Sequence, residues 1–242
     1  MSLRRVNLKG HVIALRLFSL ASALFSSGLV LLTAGCSRLP EFAAPKGGRV
    51  TSDPQVGDAI TYRALERADF KRQGPPGQIK FGQYEIGALT CSQVRTAPDT
   101  SIEVQQRTGS NGEVIYEGRI KRLRFYALMD RDCSWWNPDS DDPEYTLQHE
   151  QIHFAISEIA ARRLNREAER ALQEWHETGK TQEEVVERLK ERVTELLEEH
   201  NEAALERDHD FDEDTSVGRN PKRQNEWWEE INRELRETEA WK

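Results

Sequence analysis

The chain has 242 residues, 31% of them charged, with 42 Asp and Glu against 34 Lys and Arg for a formal net charge of −8. That length holds one ordinary globular domain plus accessory segments. The acidic balance argues against a nucleic-acid partner, which calls for a basic face.

Arg4, Arg5, Lys9 and Arg16 lead an apolar run over 17–35 that ends Leu32-Thr33-Ala34-Gly35-Cys36. A basic start, an apolar stretch and small residues before a cut make an export signal over 1–35. The cysteine directly after those small residues resembles the lipobox of bacterial lipoproteins, with Thr33 where Leu is more usual. That resemblance implies that Cys36 becomes the lipidated first residue and holds the protein to the membrane. Ser37, in place of Asp, implies sorting to the outer membrane, on the periplasmic side. A membrane-spanning anchor is the alternative, since the run is just long enough to cross a bilayer. Arg4-Arg5 before Leu8-Lys9 also resembles a twin-arginine export signal, with Asn7 replacing the expected aromatic. Residues 36–55 combine Pro, Gly and Ser with little periodicity and read as a tether to a domain over 56–242.

The domain opens with Ile60, Tyr62 and Ala64 in alternation, then a Gly74-Pro75-Pro76-Gly77 turn and strands over 79–90. Segments 102–106 and 113–119 flank Ser110-Asn111-Gly112 and read as a hairpin, because Asn-Gly is a strong turn signal. In the next strand Leu123, Phe125, Ala127 and Met129 point one way and Arg124, Tyr126, Leu128 and Asp130 the other. It ends in Cys133-Ser134-Trp135-Trp136, and is a candidate edge strand for pairing with an extended substrate or an ordinary core strand. After lipidation two cysteines remain, and an oxidising compartment favours a Cys91–Cys133 disulfide over two buried thiols.

Residues 145–177 contain no Gly or Pro and form one apolar-periodic run, hence a helix. It carries His149-Glu150-Gln151-Ile152-His153. Histidines four apart share a helix face, so both imidazoles can reach one cation, and Glu150 can reach a water on it as general base. The bland reading is a charged surface helix with two solvated histidines; Ile152, Ala155, Ile156, Ile159 and Ala160 argue for a buried stripe instead. Gly179 is a plausible stop, and Thr181 with Glu184 a capping box. A second helix over 182–207 would complete an antiparallel hairpin over about 145–207. The polar stretch from Asp208 to Asn220 reads as a loop, and Asn220 with Pro221 starts a last helix carrying Trp228, Ile231 and Leu235.

The segment HEQIHFAISEIAARRL resembles the motif helix of an uncharacterised bacterial family of predicted secreted zinc-dependent proteases. The likeness extends to Asp69-Phe70 with Pro75-Pro76, to Ser134-Trp135, and to Phe211 through Thr215 with Gln224 and Trp227. It implies a zincin-like fold, zinc on His149 and His153, and Glu150 as the catalytic carboxylate. The family's closing segment runs Thr-x-His-Gly, and Val217 stands here in place of that histidine, so a third ligand is needed. The candidates are His209, Asp212, Asp214 and Glu174, the last at about the downstream distance of the glutamate in thermolysin-like enzymes. Tyr126, Tyr145 or Arg124 could steady an oxyanion.

The expected fold is α+β: a small, mostly antiparallel sheet on the motif helix, then a helical hairpin and a C-terminal helix. The expected function is a membrane-anchored zinc metallopeptidase acting on peptide or protein substrates in the cell envelope. A catalytically inactive zincin-like lipoprotein, serving as an envelope binding or scaffold protein, is the alternative.

Overall fold

The computed structural model of the protein describes residues 50–53, 57–74, 80–81 and 84–242. The expected export signal, Cys36, most of the tether and the Pro75-Pro76 turn lie outside the described residues. The strands are β1 (Val50–Asp53), β2 (Gly57–Thr61), β3 (Arg72–Gln73), β4 (Lys80–Phe81), β5 (Tyr84–Glu85) and β6 (Ala88–Thr96). They are followed by β7 (Ser101–Thr108), β8 (Val114–Arg122), β9 (Phe125–Trp136) and β10 (His176–Gly179). The helices are α1 (Pro143–Glu174), α2 (Gln182–Thr215) and α3 (Pro221–Glu237).

Among the described residues the architecture is α+β, with two small, mostly antiparallel sheets and three α-helices; β4 and β5 pair as a separate ribbon. In the larger sheet β9 is central: β2 pairs antiparallel and β3 parallel along one side, and β6 pairs antiparallel along the other. Of the two readings of β9, the core strand is the one that stands, because that strand is hydrogen-bonded on both sides. β6 is the strand beyond it, and Asn201 of α2 caps its outer side at Val94, accepting from Val94 N at 3.1 Å and donating to its carbonyl at 3.4 Å. The Asn amide thus stands in for a neighbouring strand.

The alternation in β9 separates the two faces of the sheet. Phe125, Ala127 and Met129 join the main core, while Leu128 packs with Ala59 and Tyr126 on the other face. The Asn-Gly hairpin forms as β7 and β8, with Gly112 at φ 79°. β1 is a correction to the tether. Val50–Asp53 pairs with β2 from Val50↔Ile60 to Asp53↔Gly57, a pairing that composition alone does not reveal.

Cys91 and Cys133 are joined, with Cα atoms 5.9 Å apart and 42 residues between them in sequence. The bridge closes a bulge, since the β6–β9 register jumps from Leu89↔Trp135 to Cys91↔Asp130. Ser134 Oγ holds the same bulge, donating to the Asp130 carbonyl at 2.5 Å and accepting from Cys91 N at 2.9 Å. Replacing both cysteines by serine is expected to cost about 3–4 kcal/mol by the loop-closure argument, read from urea unfolding with and without reductant. Equal stability of the two forms would refute it.

α1 lies between the larger sheet and the other two helices. Every residue from His149 to Arg162 is buried. A helix apolar on one stripe only would leave the opposite face in water; this stretch is covered all round. Its Ile152, Phe154, Ile156 and Ile159 each contribute about 1.5–3 kcal/mol by burial. The solvated-surface reading of the two histidines therefore fails. Arg162, 2% exposed, donates to Glu158 at 2.7 Å and to the Leu235 carbonyl at 2.7 Å, fastening α1 to α3.

Two helix boundaries differ from expectation. α1 stops at Glu174, and residues 176–179 turn into β10, which pairs with β8, so a strand interrupts the hairpin. α2 runs on to Thr215, eight residues past its expected end at Arg207, so Asp208, His209, Asp212 and Asp214 are helical and not in a loop. The reason is Phe211. It sits seven residues after Ala204 and four before Thr215, continuing the apolar stripe into the core. Asn220 caps α3 as expected, its side chain accepting from Arg223 N at 3.2 Å.

Candidate metal centre

The site forms where two helices each present a pair of residues one turn apart. α1 offers His149 and His153; the last turns of α2 offer Asp208 and Asp212; α3 adds Gln224 from its first turn. His149 Nε2 and His153 Nε2 each lie 3.1 Å from Asp212 Oδ1. One ligand atom from each of the three residues falls within 4.8 Å of the others. Neighbouring ligand atoms in a tetrahedral zinc site are about 3.3 Å apart, given bonds near 2.0–2.2 Å. The two 3.1 Å separations from Asp212 Oδ1 match that spacing.

Both rings are held from behind. Gln224 Nε2 donates to the Tyr145 carbonyl at 3.3 Å and to Gln148 Oε1 at 2.9 Å, which turns its Oε1 towards His149 Nδ1 at 3.1 Å. His149 Nδ1–H therefore donates, and Nε2 is the atom left for Asp212 or a cation. His153 Nδ1 hydrogen-bonds the Asp208 carboxyl. Phe211, fully buried, closes the space between the helices, its ring 4.6 Å from the His149 ring and 4.8 Å from that of His153.

The turn after α2 completes the enclosure. Ser216, Val217 and Gly218 have φ of 50°, 55° and 74°, a left-handed run that is costly for β-branched Val217. It brings the Gly218 backbone onto His149: a Cβ at Gly218 would lie 3.2 Å from His149 Nδ1. An alanine there would crowd the ring as well as strain the backbone.

Glu150 is 1% exposed and, with His149, Tyr145 and Val217, lines a cavity of about 190 Å³. This is the side from which a water or a substrate could approach. Burial works to lower the His149 pKa, but the Asp212 hydrogen bond and charge outweigh it and raise the value above normal. His153 goes the other way, well below normal, through burial and the neighbouring His149. Burial pushes the Asp208 carboxyl up to about 8.

Of the sequence candidates for a third ligand, Asp212 is the one brought to the two histidines. His209 is exposed on the outer side of α2. Asp214 is engaged elsewhere, bonded to Arg223 and accepting from Trp227 Nε1 at 3.0 Å. Glu174 is exposed at the far end of α1, roughly 37 Å along the axis from His149 at 1.5 Å per residue. Tyr145 lines the cavity, whereas Tyr126 and Arg124 line a different one with Glu158 and Arg162. Asp208 was not among the sequence candidates, although its four-residue spacing from Asp212 repeats that of the histidines. Gln224 entered only through the family resemblance.

No protein-family model, no curated protein and no solved structure matches this chain.

Proposed function

We propose that the chain is a zinc-dependent peptidase of zincin type, exported and held at the envelope by a lipid on Cys36. The observation that supports this reading is the convergence of His149 Nε2, His153 Nε2 and Asp212 Oδ1 beside Glu150 and a cavity. Three acceptor atoms facing one another repel unless protons or a cation lie among them, and two histidines with a carboxylate suit zinc.

A bound zinc ion would act as Lewis acid, polarising a scissile carbonyl and lowering the pKa of its water towards about 7. Glu150 takes the proton of the attacking water and later delivers it to the leaving amine. Gln224 and Asp208 fix the ring orientations, and Phe211 with Gly218 keeps bulk water from the rings. His149 and Asp212 reach the cation from different helices, so binding it also ties α1 to α2.

The test is metal content. The purified full chain is expected to retain about one zinc, and His153→Ala or Asp212→Ala to lose it. A folded wild-type chain that takes up no zinc when dialysed against it would reject the reading and favour the inactive scaffold.

A further inference from the structure

We propose that Asp208 is a positioning residue of this centre: a buried carboxylate behind His153 that orients the ring and strengthens it as a metal donor. The inference rests on the metal reading above and deepens it.

The two motif histidines hold equivalent places on one helix, yet they are backed by different chemistry. A neutral amide, Gln224 Oε1, stands behind His149; a carboxylate, Asp208 Oδ1, stands behind His153. A carboxylate that accepts the Nδ1 proton pulls it away from the ring and leaves Nε2 richer in electron density. Such a pair fixes the tautomer and raises the basicity of the ligating nitrogen more than an amide does. His153 should therefore be the stronger of the two donors.

The placement of Asp208 favours this role over a purely structural one. Its side chain is only 14% exposed, and His153 is fully buried. A carboxylate taken out of water for the fold's sake alone costs several kcal/mol, and one hydrogen bond from His153 Nδ1 repays only part of that. The cost is understandable if a dication shares the site. Asp208 also lies one turn before Asp212 on α2, so a single helix face supplies both the third ligand and the support for the second. The i, i+4 pair of α1 thus meets an i, i+4 pair of α2, and the four side chains form one connected unit.

The full chain, stripped of metal, would be titrated with zinc against a competing chelator and loaded with cobalt(II) for its visible absorption. Asp208→Asn keeps an oxygen to accept the Nδ1 proton but removes the charge. It is expected to weaken zinc binding by about 10–100-fold and to shift the cobalt bands. Asp210→Asn, on an exposed residue of the same turn, is expected to leave both unchanged. Wild-type affinity and spectrum in Asp208→Asn would overturn the proposal. If that variant does not fold without metal, Asp208→Ser decides by the same two readings. A wild-type chain that binds neither metal removes the metal reading, and this proposal with it. An intact wild-type site with an unaffected Asp208→Asn removes this proposal alone.

Discussion

Changing Glu150 to Gln is expected to reduce peptide hydrolysis by about 10²–10⁴-fold while leaving zinc content at the wild-type level. Glutamine has nearly the volume of glutamate, so a position only 1% exposed keeps its packing. What it loses is the capacity to accept a proton. The three donors that converge on the cation site do not include Glu150, so ligation should be unaffected. His153→Ala, by contrast, should lose metal and hydrolysis together. Cleavage of a casein or a peptide library by the full chain, with zinc measured on the same samples, separates the two effects. Hydrolysis at the wild-type rate in Glu150→Gln would exclude this residue as the base. Loss of zinc in that variant would place Glu150 among the ligands instead.

The motif helix was legible because its signal is local: a Gly-free, Pro-free run with histidines four apart fixes both the helix and the face. The hairpin was legible for the same reason, through Asn111-Gly112. The third member of the His149–His153–Asp212 cluster was legible only as one of four candidates. Choosing Asp212 requires knowing that 208–215 is helical, and the acidic, turn-like composition of that stretch hides it. Phe211 is the residue that decides, and its weight comes from burial against α1, which is a tertiary fact. Glu174 failed for a related reason. A downstream spacing borrowed from other enzymes assumes a second helix that folds back, whereas here Glu174 is still on α1 itself. The β10 interruption and the β1 pairing are non-local too: Gly179 reads as a helix stop, yet residues 176–179 become a strand because β8 offers them an edge. Asp208 and Gln224 carry no motif of their own. They become visible only when the rings they support are in place.

The affinity of the site for zinc is expected to rise steeply with pH, by close to 100-fold per unit near pH 6, and to level off above about pH 8. The reason lies in the protons the metal-free site holds. His149 has its pKa raised, after burial is outweighed by Asp212, and Asp208 is pushed up to about 8 by burial. Near pH 6 both groups are therefore protonated, and His153 is neutral because its pKa is well below normal. Ligation needs both Nε2 atoms bare, so one zinc displaces two protons, one from His149 and one from the Asp208–His153 pair, and the charge of the site is conserved. The stability of the metal-free fold follows with the opposite sign. Both groups have folded pKa values above their unfolded ones, so their contribution is present at low pH and is lost as pH rises, for Asp208 through about 8. The rise in melting temperature caused by saturating zinc should therefore be small near pH 5.5 and largest near pH 8. Calorimetric titration in two buffers of different ionisation enthalpy counts the protons directly. A release near zero at pH 6.5 would mean that the imidazoles and Asp208 are already deprotonated in the metal-free protein, and the exchange of two protons for one dication would have to be abandoned.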